Sequence, residues 1–200
     1  CRLDGRRLVT MGQRIRLMRA FPVVGKVGGA VRIKQVAGRW YASFTVETEP
    51  EYVQPVEPAN LVGIDIGLKS YAVFSDSTVI ENPRYFKQYE RKLAHWQRKL
   101  SRQNRGSERY NVTKQRVAKI HAAIANRRKS HAHLVSKQIA ENYDAVCIES
   151  HSLKSQSQGK LAKSVHDVGH GYFRACLAYK LPDRGKQLLV ADPYFPSSKT

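Results

Sequence analysis

Two carboxylates in this sequence sit where an isolated charge is expensive. Asp65 lies inside the apolar run Val62-Gly63-Ile64-Asp65-Ile66-Gly67, and Glu149 closes Ala145-Val146-Cys147-Ile148-Glu149. An acidic group within or at the end of a core strand costs free energy unless it is paired or binds a metal. Two such groups from distant parts of a basic chain point to a shared Mg²⁺, a cation that prefers oxygen ligands. Metal pairs of this kind stabilise the attacking and leaving oxygens in phosphodiester cleavage. Gly63 and Gly67 would let a phosphate or backbone approach closely. The plainer alternatives are a turn carboxylate beside Gly67 and a strand-end charge facing solvent.

The elements that must position these groups can be read around them. Leu61–Gly67 and Asp144–Glu149 are short apolar runs suited to buried strands. Ser70–Ser75 follows the first at hairpin distance, and Thr78–Ile80 offers a third strand. Phe86, Tyr89, Leu93, Trp96 and Leu100 recur at spacings of three and four, a helical seam. Arg105-Gly106-Ser107 breaks it. Val117, Ile120, Ile124, His131, Leu134 and Ile139 then mark a second helix, giving a long helical hairpin. A helix over 161–180 and a last strand over 187–191 follow. Upstream, residues 1–47 are β-rich, with a hairpin around Ala37-Gly38-Arg39 that puts Trp40, Ala42, Phe44 and Val46 on one face. Arg14, Arg16, Arg32 and Lys34 lie on solvated strand faces that could also grip phosphates. Residues 48–59 carry Pro50, Pro55 and Pro58 among Glu49, Glu51 and Glu57, which blocks helix and central strand and marks a linker. The expected organisation is a partial β-rich unit at 1–47, the linker at 48–59 and an α/β unit at 60–200. A strand with Asp, a hairpin, helices and a strand with Glu is the order of an RNase H-like sheet.

Charge narrows the partner class. The chain has 35 Lys+Arg against 16 Asp+Glu, a formal charge of +19, which favours a polyanionic partner such as nucleic acid. The excess concentrates in the helical hairpin, at Arg91, Arg98, Arg102, Arg105, Arg109, Arg116, Arg127, Arg128 and Lys129 among others, with only Glu90 and Glu108 opposing it between 83 and 140. A solvated helix ordinarily mixes both signs, because like charges four residues apart repel. A phosphate backbone relieves that repulsion. Cys1, Cys147 and Cys176 form no close pair and no C-x-x-C, which argues for a reducing setting and against a disulfide framework or zinc ribbon within these residues. Cys147 and Cys176 read as core thiols. No apolar run is long enough to span a bilayer. His131, His133, His166 and His170 lack the i,i+4 pair with an interposed Glu that hydrolytic zinc helices use; His166 and His170 share the i,i+4 spacing alone, which suits a packed or phosphate-facing role. Tyr85, Tyr89 and Trp96 could stack on bases, but their heptad-like spacing favours core packing. Asp167 reads as a surface helix residue and Asp192, before Pro193, as a turn or cap residue.

Together these segments resemble the TnpB proteins of transposons and their relatives, the type V CRISPR nucleases. Gly63-Ile64-Asp65-Ile66-Gly67-Leu68-Lys69 is similar to the first RuvC motif of that family, and Ile148-Glu149 to the second. Leu161-Ala162-Lys163-Ser164, Asp167 and Gly171-Tyr172-Phe173 resemble the helix after it. Asp192–Thr200 resembles the run into the zinc ribbon, and the hairpin at 31–47 resembles the end of the wedge domain. The family's Glu-Asn-Leu reads Glu149-Ser150-His151-Ser152-Leu153 here. The resemblance implies an RNA-guided DNA endonuclease of a transposable element, acting in the prokaryotic cytoplasm at the nucleoid. Its partners would be a guide RNA from the transposon end and a target DNA. Its RuvC site would use three carboxylates and Mg²⁺ or Mn²⁺, with Asp65 and Glu149 as the first two. The third Asp and the Zn²⁺ cysteines would fall beyond Thr200. On this reading the chain, opening at Cys1 without Met, is a piece of a longer protein with little activity alone. A nuclease-inactive RNA-guided DNA binder and a general basic RNA-binding protein are the alternatives.

Overall fold

The computed structural model describes residues 2–18, 25–49, 52–149 and 169–191. Three sheets organise them. The first is an antiparallel meander of β1 (Arg2–Asp4), β2 (Arg7–Thr10) and β3 (Gln13–Arg16). Leu8 in its middle strand is fully buried. The second is a hairpin of β4 (Lys26–Val36) and β5 (Arg39–Glu47). Its turn residues Ala37 and Gly38 both have positive φ, 51° and 81°. That two-residue geometry matches the twist of the flanking strands, and glycine adopts it without strain. The expected face pattern appears: Ala42, Phe44 and Val46 are partly covered while Ser43, Thr45 and Glu47 are exposed. Trp40, at the hairpin tip, stays 70% exposed.

The third sheet positions the candidate site. It runs β10 (Gln187–Ala191), β9 (Ala145–Glu149), β6 (Leu61–Asp65), β7 (Ser70–Phe74), β8 (Val79–Glu81) in spatial order. The strands β6, β7 and β8 form an antiparallel meander, whereas β6–β9 and β9–β10 are parallel. Parallel neighbours need a crossover. The first is supplied by α1 (Tyr85–Ser101) and the 35-residue α2 (Glu108–Asn142). Before β10 come α3 (His170–Lys180) and a single 3₁₀ turn at Pro182–Arg184. Mixed connectivity of this kind makes the chain an α/β protein with a mixed sheet.

One face of the sheet is packed. Val62 and Ile64 of β6, Tyr71, Ala72 and Phe74 of β7, and Val146 and Ile148 of β9 meet Ala132, Val135, Ile139 and Ala140 of α2 and Phe173, Leu177 and Leu181 of α3. The alternation of buried and open positions along β6 and β9 follows from the two-residue pleat. Leu61 on the other face is 63% exposed.

The first half of α2 instead packs on α1. Leu93, Ile120 and Ile124 are buried there, with Tyr85, Phe86, Tyr89, Trp96 and Val117 around them. The helix starts at Ser107, whose hydroxyl accepts from the Tyr110 amide at 3.2 Å. This cap satisfies one of the amides that a helix start leaves open. The expected seam departs from the structure at Leu134, which is 57% exposed. Where α2 crosses from α1 to the sheet, its buried stripe becomes Ala132, Val135, Ser136, Ile139 and Ala140. Leu134 points about 170° away from the centre of that stripe.

Residues 52–58 adopt neither helix nor strand. The Val56 amide donates to the Gly185 carbonyl at 2.8 Å, so this segment rests on the turn before β10. Within 161–180, residues 161–168 lie outside the described residues, and the helix runs from His170. Among the described residues no helix is long and apolar enough to cross a membrane.

Candidate metal centre and basic helical surface

Asp65 is the last residue of β6 and Glu149 the last of β9. The two strands pair in parallel, in register from Leu61↔Ala145 to Ile64↔Ile148. Asp65 and Glu149 are therefore the next positions of the same ladder. Neighbouring strands lie about 4.8 Å apart, and residues in register project to the same face. By the pleat, that face is the one turned away from Val62, Ile64, Val146 and Ile148. Asp65 is exposed and Glu149 half-buried. On the far side of Glu149, Ala191 closes β10 opposite it. The carboxyl ends of parallel strands are where open α/β sheets place their sites. Two hard oxygen donors at adjacent strand ends suit Mg²⁺ or Mn²⁺ better than a softer metal. Among the described residues no group of three or more His, Cys, Asp or Glu comes together to hold a metal. Asp167, Asp192, His166 and residues 150–153 lie outside the described residues.

The glycines beside Asp65 are not there for an unusual backbone. Neither Gly63 nor Gly67 is among the positive-φ residues. A Cβ on Gly63 would sit 3.8 Å from the Ser75 Cβ, and one on Gly67 would sit 3.4 Å from the Ser70 carbonyl oxygen. Gly63 is tied to Ser75 in both directions. Its amide donates to the Ser75 hydroxyl at 3.1 Å, and its carbonyl accepts from the Ser75 amide at 2.9 Å.

The opposite ends of the parallel strands are held by Asp144. Its carboxylate accepts from the Asn60 amide at 3.1 Å and lies 3.3 Å from the Lys186 ammonium. The Asn60 amide, with Lys186, holds the Asp144 carboxyl below its usual range. One side chain thus joins the starts of β6, β9 and β10. Asp76 is lowered likewise, by the Tyr143 hydroxyl that donates to it at 2.5 Å.

The basic residues expected to meet phosphate are carried by α1, α2 and the link between them. Arg91, Arg98, Arg102, Arg105, Arg109, Arg116, Arg127 and Lys129 are exposed, and Arg128 is half-buried. Helical spacing sorts them into stripes. At about 100° per residue, Arg91 and Arg98 of α1, with Arg102 just past its end, fall within roughly 40° of arc, and Arg109, Arg116 and Arg127 within roughly 20° on α2. Tyr89 and Trp96 pack in the hairpin core as their spacing predicts, and each also carries a guanidinium. Arg116 lies 4.6 Å from the Trp96 ring centre and Arg127 lies 5.4 Å from that of Tyr89. Stacking fixes the planar guanidinium and leaves its edge donors available.

The histidines divide. His133 contacts the Tyr172 hydroxyl at 2.9 Å through Nε2. The ring of His131 packs edge-on against Tyr71, 4.6 Å between centres. Burial depresses its basicity, and its Nε2 is buried without a hydrogen-bond partner. Cys176 is buried and Cys147 half-buried, in keeping with packed thiols.

A family model described as "Probable transposase" (OrfB_IS605) matches residues 43–155, a span holding both carboxylates and the helical hairpin. The chain belongs to this family, that of the TnpB-type proteins. Among curated relatives, one from Escherichia coli K12 named "Putative RNA-guided DNA endonuclease InsQ" is 32% identical over 84% of this chain and 46% of its own length. Another, from Streptomyces pristinaespiralis and named "Putative RNA-guided DNA endonuclease", is 33% identical over 82% of this chain and 40% of its own. The chain spans less than half the length of these relatives. A solved structure titled "Cryo-EM structure of the Cas12f1-sgRNA-target DNA complex" aligns with 82% of this chain and 42% of its own, at 15% identity and a TM-score of 0.48.

Proposed function

We propose that this TnpB-type protein is a transposon-associated, RNA-guided DNA endonuclease, cleaving phosphodiesters at a RuvC-like site built on Asp65 and Glu149. The observation that carries the reading is the adjacency of these carboxylates at the ends of neighbouring parallel strands. The sheet order supports an RNase H-like fold: the first strand of a meander sits centrally and pairs in parallel with a strand reached through helices. The names of the curated relatives support the guide RNA and the DNA target. Asp65 and Glu149 would hold Mg²⁺ or Mn²⁺. When bound, the metal supplies charge stabilisation for the oxygens of the scissile phosphate. The chain's own contribution is to fix two anionic ligands on a rigid sheet and to present basic helices to the nucleic-acid backbone, while base pairing reads sequence.

The test is Mg²⁺-dependent cleavage of guide-matched DNA by the full-length protein beside its Asp65→Ala and Glu149→Ala variants. Cleavage abolished by either substitution, with nucleic-acid binding retained, supports the nuclease. Tight, salt-sensitive binding with no metal-dependent cleavage in any of the three proteins would make the protein a nuclease-inactive, RNA-guided DNA binder.

A further inference from the structure

The segment that leaves Asp65 is gripped at two consecutive peptide units. The Nε2 of His170, at the start of α3, meets the Gly67 carbonyl oxygen at 3.2 Å. Facing a carbonyl, this nitrogen carries the proton and donates. One residue on, the Asn82 side-chain amide donates to the Leu68 carbonyl at 2.8 Å. These two side chains are 103 and 14 residues away in sequence from the carbonyls they hold. Neither contact belongs to a sheet ladder.

Both clamps are themselves fixed. His170 is 5% exposed, and its ring lies edge-on to Tyr71, 6.2 Å between centres. Tyr71 in turn packs on Phe173 of the same helix at 5.2 Å. The Asn82 side-chain oxygen accepts from the Arg84 amide at 3.0 Å, which sets the orientation of the NH₂ that reaches Leu68. A buried imidazole with a locked rotamer and an amide oriented at both ends are the kind of support that holds a ligand-bearing strand end in place.

We infer that His170 and Asn82 are positioning residues for Asp65: they hold the Gly67 and Leu68 carbonyls, fix the exit of β6, and thereby set the direction of the Asp65 carboxylate toward Glu149. This inference rests on the reading of Asp65 and Glu149 as metal ligands. It assigns α3 a part in the site although none of the described residues of that helix is a candidate ligand.

The test uses the full chain with Mn²⁺ as the probe, read by electron paramagnetic resonance, together with amide hydrogen exchange over residues 66–69. In His170→Leu the ring's volume is largely kept and the donor lost. The expected result is Mn²⁺ affinity lower by about 10–100-fold, the range seen when groups supporting a ligand are removed, with faster exchange at 66–69. His170→Gln, which restores an N–H donor, is expected to recover much of both. Asn82→Ala, at a half-buried position, is expected to shift both readouts the same way should His170→Leu fold poorly. Wild-type affinity in His170→Leu and Asn82→Ala, or a His170→Gln no better than His170→Leu, overturns the inference. If the wild type binds no Mn²⁺ that Asp65→Ala abolishes, the metal reading itself fails. The clamp is then decided by exchange alone: unchanged rates at 66–69 in His170→Leu refute it.

Discussion

Removing the α2 stripe tests whether the basic hairpin meets phosphate. Arg109, Arg116 and Arg127 lie within one narrow arc of α2, all exposed. They span 18 residues, about 27 Å of helix. Each phosphate contact released contributes about 0.9 to the slope of log K against log salt for duplex DNA, and about 0.7 for single strands. Replacing all three with Gln is therefore expected to reduce the slope by about 2.7 on duplex DNA. From the same relation, each contact is worth about fivefold in affinity at roughly 0.15 M salt, so the triple variant should bind about 10²-fold more weakly. Fluorescence anisotropy titrations from about 0.05 to 0.3 M salt would measure both quantities. Arg116 and Arg127 also cover Trp96 and Tyr89, so circular dichroism must first show the helices intact. An unchanged salt slope in a folded triple variant would refute the assignment of this stripe to the phosphate backbone.

Phe173 is fully buried between sheet and helices, so Phe173→Ala should lower unfolding free energy by about 3–5 kcal/mol in urea titration. Asp144 and Asp76 titrate below their usual range in the folded protein. Their stabilisation is full above the unfolded value of about 3.9 and is lost as pH falls through the lowered folded values. Asp144→Asn should therefore be less stable than wild type at pH 7 and show a flatter acid limb below about pH 4, measured as urea midpoint against pH. Burial lowers the basicity of His131, so its contribution is full above about 6.5 and lost as pH falls through its lowered folded value. His131→Phe keeps the edge-on packing on Tyr71 and removes a buried nitrogen without a partner. Its melting temperature should change less than that of wild type on going from pH 7 to 5.

The sheet strands and the hairpin were legible because their signals are local. The run around Asp65, the Ala145–Glu149 strand and the Ala37-Gly38 turn all match the structure closely. Adjacency of Asp65 and Glu149 was suggested by their matching places at the ends of two apolar strands. Register then sets the two residues side by side. The course of α2 was harder to read. Its sheet-facing stripe uses Ala132, Ser136 and Ala140, small residues that carry little hydrophobic signal, so the larger Leu134 was drawn into the seam while the structure leaves it in solvent. The first two strands of the N-terminal meander, Arg2–Asp4 and Arg7–Thr10, were hidden by their charges. The contacts of His170 with Gly67 and of Asp144 with Asn60 and Lys186 leave no periodic trace. Each joins residues more than 40 apart in sequence, and only the packed fold brings them together.

The central claim is that Asp65 and Glu149 hold one metal between them. It is tested most directly by calorimetric Mn²⁺ titration of the wild type, Asp65→Asn, Glu149→Gln and the double variant, read as a double-mutant cycle. A shared site predicts that each single substitution weakens binding by at least tenfold and that the double variant is little worse than either single one. Independent, additive losses, or Mn²⁺ affinity untouched by both substitutions, would contradict it.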